Sequence, residues 1–265
     1  MSQISRNITR VIYNSTEVSN KMRTPSGDTI AFNITTADAL YVGYQEKFST
    51  RHFGFGVANT NALTVSVKYW NGTSFVAVED LVDQTNGLKN DGFISWANQG
   101  DWKLKAQTPV EPELYWVKIE VSANASAPTT LDSVLNIFCD DFLLRSYYPE
   151  LITDSRFLPA GRTDFLEQYV AAKELVVLRL KQDGIIREES QIIDVNEVAN
   201  AAVHATAWII LNPISLDAEN RVVVDRAFDN FTRELNRVKL DLDFDKDGII
   251  EEQEENKGNF FIARG

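Results

Sequence analysis

The chain has 265 residues, 44% of them hydrophobic and 11% aromatic, which is enough to build one large or two ordinary cores. A net charge of -12 excludes non-specific nucleic-acid binding, which needs basic patches. The single cysteine, Cys139, excludes an internal disulfide, and no apolar run is long enough to span a membrane.

The first few residues carry no apolar run, so no signal peptide is expected. The Asn-x-Ser/Thr triplets at Asn7, Asn14, Asn33, Asn71, Asn124 and Asn230 then read as products of a polar surface rather than glycosylation sites. Short runs rich in aromatic and β-branched residues predict strands over 29–34, 39–44, 52–57, 63–70, 74–78, 93–96 and 114–121. The run 63–69 alternates apolar and polar with period two, as a half-buried strand does. Asn71-Gly72 between two such runs predicts a hairpin whose central positions both tolerate positive φ. Strands at this spacing predict an antiparallel β-sandwich over 1–139, with residues 122–132 as a loop and a last strand over 133–138.

From residue 140 the grammar is helical, so a second domain is expected over 140–265 and the fold class is α+β, multi-domain, with a C-terminal α-helical bundle. A short helix is predicted over 141–148. Asp164 and Glu167 form a capping box ahead of an apolar series through Leu180, with Gly184 placed to close that helix. Asp194 and Glu197 form a second box opening 195–211, and Pro213 ends that helix. It is apolar almost all round, the mark of a buried central helix. A third long helix is expected over 217–242, with Val224, Ala227, Phe228, Phe231, Leu235 and Val238 on one face, running straight into the next motif.

That motif is 243–254, which fits the twelve-residue calcium loop of an EF-hand. Asp243, Asp245 and Asp247 take positions 1, 3 and 5, Gly248 the sharp turn, and Glu254 the two-oxygen position 12. The Ile249 carbonyl would supply a further oxygen and Glu251 would act through a water, so Ca2+ is the expected cofactor. The alternative is an acidic surface turn, whose six acids against one Lys would repel one another without metal. No second loop of this kind occurs, so a calmodulin-like switch is not expected.

No enzyme is expected. His52 falls in a strand, and His204 falls inside the most buried helix, where it reads as a core histidine. Cys139 stands beside Asp140 and Asp141 with no basic helper, so its thiolate is not activated. Asp140 and Asp141 read as acids at a helix N-terminus rather than an acid/base pair. No phosphate loop, dinucleotide fingerprint or nucleophile elbow occurs. Trp70, Phe75, Trp96, Trp102, Tyr115 and Trp116 admit a second reading, a sugar-stacking platform, or else they are core. Exposure of Trp70, Trp96 and Trp102 separates the two.

The run Phe138-Cys-Asp-Asp-Phe-Leu-Leu-Arg-Ser-Tyr-Tyr-Pro-Glu-Leu, with Phe165-Leu-Glu-Gln-Tyr-Val-Ala-Ala-Lys and Val198-Ala-Asn-Ala-Ala-Val-His-Ala-Thr-Ala-Trp-Ile-Ile-Leu, resembles the head–tail connector (adaptor) proteins of tailed bacteriophages. The resemblance covers 138–242. Ala39-Leu-Tyr-Val-Gly-Tyr, Val65-Ser-Val-Lys-Tyr-Trp-Asn-Gly-Thr-Ser-Phe, Ile94-Ser-Trp and Tyr115-Trp-Val-Lys-Ile resemble galactose-binding-like sandwiches. The connector resemblance implies a structural virion protein at the head–tail junction, made in the bacterial host cytoplasm. It implies a homo-oligomeric ring, dodecameric, that touches the phage portal protein and tail or neck proteins. DNA would pass through the ring without sequence-specific binding, and no membrane is involved. The final Asn259, Phe260, Phe261 and Ile262 are expected to bind the portal or a neighbouring copy. The calcium loop departs from the adaptor pattern. The competing expectation is a calcium-stabilised carbohydrate-binding module of a tail fibre or baseplate.

Overall fold

The computed structural model describes residues 9–23, 29–97, 99–159, 165–187, 189–192, 195–214 and 218–238. Contacts divide the chain into two units, with the change between Asn136 and Ile137.

The first unit is made of antiparallel strands. In chain order these are β1 (Arg10–Tyr13), β2 (Thr16–Glu17), β3 (Ile30–Ala31), β4 (Leu40–Tyr44), β5 (Thr50–Val57), β6 (Val65–Trp70), β7 (Phe75–Ala77), β8 (Val82–Asp83), β9 (Gly92–Ser95), β10 (Leu104–Gln107), β11 (Val110–Val121) and β12 (Thr130–Leu135), with a short helix α1 (Ser19–Arg23) between β2 and β3. One sheet runs β2-β1-β4-β11-β6-β7, with β10 also paired to β11, and the other runs β3-β12-β5-β9-β8. Val42, Val67, Val117 and Ile119 of the first sheet share one buried cluster with Phe53, Ile94, Leu131 and Val134 of the second. Alternation explains the selection. Val65, Val67 and Tyr69 on β6 are buried, while Ser66 is exposed and Lys68 and Trp70 are half-buried.

Each predicted run carries a strand, but the boundaries move. The region 29–34 keeps only β3, and β12 starts at Thr130, inside the expected loop. Strands β1, β2, β8 and β10 were not expected. All four span only two or four residues, too few for a run of alternation, and β2, β8 and β10 pair because a longer neighbour offers an edge.

The hairpin at Asn71-Gly72 forms with Trp70 opposite Phe75, but its loop is four residues long. Gly72 has φ +104, and Asn71 does not adopt positive φ. Instead the Asn71 carboxamide oxygen accepts from the Thr73 and Ser74 amides, at 3.0 and 2.9 Å, and from the Thr73 hydroxyl. The side chain thus replaces the backbone turn that a two-residue loop would supply.

The second unit is helical: α2 (Asp141–Tyr147), α3 (Pro149–Thr153), α4 (Leu166–Gln182), α5 (Asn196–Leu211) and α6 (Ala218–Leu235). Helix α5 packs against α2, α4 and α6. Its small residues Ala199, Ala201, Ala202, Ala205 and Ala207 are buried on every side, as the sequence predicts. Gly184 closes α4 in the left-handed region, φ +72, and the Ile185 amide donates back to the Leu180 carbonyl at 2.9 Å.

The capping residues Asp164 and Asp194 lie outside the described residues; α4 and α5 begin at Leu166 and Asn196, just past them, with Phe165 buried at the start of α4. One expectation needs correction. The last helix does not run to residue 242 but stops at Leu235. The amides of Arg237 and Val238 then bond three residues back, to Glu234 and Leu235, which tightens the turn and buries Val238.

Candidate functional site

The sequence-predicted metal ligands Asp243, Asp245, Asp247, Ile249, Glu251 and Glu254 lie outside the described residues. So do Asn259, Phe260, Phe261 and Ile262. No group of three or more His, Cys, Asp or Glu placed to hold a metal occurs among the described residues.

The aromatic residues of the sheet unit answer the exposure question. Trp96, Trp102 and Trp116 are 3%, 2% and 0% exposed. Trp96 donates its indole N–H to the Phe48 carbonyl at 3.0 Å, and Trp102 packs against Phe48, Tyr69 and Tyr115. Trp116 lies on Gly43 of the adjacent strand, where an added Cβ would stand 2.6 Å from the ring. Trp70 is half-buried, with Phe75 edge-on at 5.4 Å and the Lys105 ammonium 4.2 Å over its ring. The six aromatics therefore do not line one open platform.

In the helical unit, the polar residues singled out by sequence have local roles. Asp140 caps α2, its carboxylate accepting from the Leu143 amide at 2.9 Å, and Asp141 accepts from the Tyr169 hydroxyl. Burial, with the Asp141 charge alongside, pushes the Tyr169 phenol above its ordinary range. Cys139 is fully buried and contacts the Thr206 hydroxyl at 3.1 Å; burial pushes its thiol up to about 12. His204 has its Nδ1 2.7 Å from the Tyr148 hydroxyl, with the Tyr147 and Tyr148 rings edge-on. Burial holds its pKa below 6.5. His52 is likewise buried, edge-on to Phe93.

Two features escaped the sequence reading. Lys173 is 2% exposed yet charged, and its ammonium meets Glu189, in the 3₁₀ turn Glu189–Gln191, and Glu174 at 3.1 Å. A lysine inside the apolar series of α4 reads as a surface position, because its partner lies across a connection with no motif. The second feature is an open groove of about 270 Å³ lined by Trp208 and Asn212 at the end of α5 and by Arg221, Val224, Asp225 and Phe228 on α6. Trp208 and Phe228 meet at 5.3 Å, tilted, and Phe228 is 40% exposed, unlike Val224, Ala227, Phe231, Leu235 and Val238 of the same predicted face. The available signal was its place at the edge of that stripe, beside Arg221 and Asp225.

Among the described helices, none is long and apolar enough to cross a membrane. Comparison with protein-family models, with curated proteins and with solved structures returned no match.

Proposed function

We propose that this chain is a structural protein of a tailed-phage virion, the head–tail connector (adaptor), whose copies form a ring under the portal through which DNA passes. The observation that carries this reading is α5. An alanine-rich helix, buried at every position from Ala201 to Ala207, packs against α2, α4 and α6 in the region that resembles the adaptor proteins. The helical unit is then an adaptor bundle. The strand unit is a galactose-binding-like β-sandwich, a reading supported by the core its two sheets share. The ring is a homo-oligomer, dodecameric by resemblance, with the portal and the tail or neck proteins as its partners and the virion as its location. Its role is mechanical, not enzymatic. The buried Cys139 and the core-packed His204 offer no nucleophile or base to a substrate.

The carbohydrate-binding alternative loses support from the burial of Trp96, Trp102 and Trp116, since a buried ring cannot stack on a sugar. Ca2+ remains part of the proposal. Three Asp carboxylates, a Glu carboxylate and a backbone carbonyl form the hard oxygen set this ion takes, and occupancy would relieve the repulsion among the acids of 243–254.

Negative-stain microscopy of the concentrated protein, with calcium and with chelator, tests the reading. Rings support it, and rings lost on chelation make the loop an assembly staple. Deleting 259–265 is expected to abolish assembly while leaving the circular-dichroism spectrum unchanged; normal assembly by that truncation refutes the role given to the tail.

A further inference from the structure

The ring reading, on which this inference rests, leaves open which surfaces join one copy to the next. We propose that Phe142 of one copy seats in the Trp208–Phe228 groove of its neighbour, as a head-to-tail contact.

Phe142 is the most exposed large apolar side chain of the described residues, 79% exposed. It is also held firmly. Asp140 caps its helix, Asp141 accepts from Tyr169 of α4, and Leu144 is buried beneath. A ring presented on an anchored helix loses little freedom when it docks. The groove is the matching partner. Its 270 Å³ falls below the roughly 300–1,000 Å³ of a small-molecule site. Its apolar wall is two rings and Val224, and an incoming ring would extend the tilted Trp208–Phe228–Phe231 series.

Charge favours the same pairing. Phe142 is flanked on exposed positions of α2 by an acid, Asp141, and a base, Arg145. The groove is rimmed on α6 by a base, Arg221, and an acid, Asp225. Seating Phe142 can therefore set Asp141 against Arg221 and Arg145 against Asp225. Knob and groove are built from different residues of one chain, so the contact is heterologous, the kind that closes into a ring when the rotation allows.

Sedimentation velocity of the full chain over rising concentration, with microscopy of the same samples, tests this. Wild type is expected to self-associate. Phe142→Ser and Arg145→Glu are expected to weaken association about tenfold or more, since a central aromatic anchor carries a large share of binding. Arg145→Glu combined with Asp225→Arg in one chain restores it, which loss of fold could not do. Mixing the Phe142→Ser chain with the Asp225→Arg chain yields heterodimers and no larger species, because one productive contact remains. Rings that persist undiminished in Phe142→Ser overturn the contact and leave the ring reading standing. A wild type that stays monomeric at several hundred micromolar overturns the contact, and rings then seen only with a portal added would keep the ring reading alone.

Discussion

Gly43 and Trp116 show how one residue's absence makes room for another's ring. Gly43→Ala would place a methyl 2.6 Å from the indole, so the variant is expected to lose about 1–3 kcal/mol, read as a lower urea midpoint at unchanged slope. His204 makes a pH-dependent contribution with a definite sign. Its folded pKa is lowered, chiefly by burial, so the unfolded chain binds the proton more readily. Stability is therefore whole above about 6.5 and falls as pH drops through that value toward the folded pKa. His204→Gln is expected to flatten this slope, and urea midpoints measured at several pH values for both proteins check it. Cys139, with its thiol pushed up to about 12 and no exposure, is expected to react with a thiol reagent only on unfolding. The cysteine's inertness was legible in its acidic neighbours. The Gly43–Trp116 contact was not, because it joins two strands far apart in sequence.

At the scale of elements, the long signals were legible and the short ones were not. Helices α4 and α5 carry enough apolar residues that burial decides their form, and Gly184 marks the end of α4 without ambiguity. Their starts, at Leu166 and Asn196, fall within two residues of Asp164 and Asp194, and Phe165 at the first of them is buried. The two-residue strands β2, β3 and β8 hold no pattern of their own and exist because β1, β12 and β9 lie alongside. Lys173 and Glu189 bind α4 to the connection that leads into α5. Glu189→Gln keeps the shape and removes one of the two carboxylates that meet the buried Lys173, leaving Glu174. It is expected to destabilise by about 1–3 kcal/mol, whereas Lys173→Met with Glu189→Gln recovers most of the loss, as thermal melts of the single and double variants would show.

At the scale of the molecule, the change from strands to helices near residue 140 was visible in composition, and contacts divide the chain between Asn136 and Ile137. If the acids of 243–254 hold Ca2+, the ion is expected to raise the melting temperature and Asp243→Asn with Asp245→Asn to abolish that rise, measured by calorimetry with and without chelator. The candidate docking surface was only half legible. Phe142 stands in plain view in a short helix, but nothing local says that it faces solvent, and the groove needs the end of one helix laid against the start of another. The sequence by itself determined the class of each half and the central helix, because those depend on period and composition within a few turns of chain. Only the tertiary structure decided which aromatics are buried, which lysine is paired and where the groove opens, because burial is a property of neighbours that the chain brings together from far along its length.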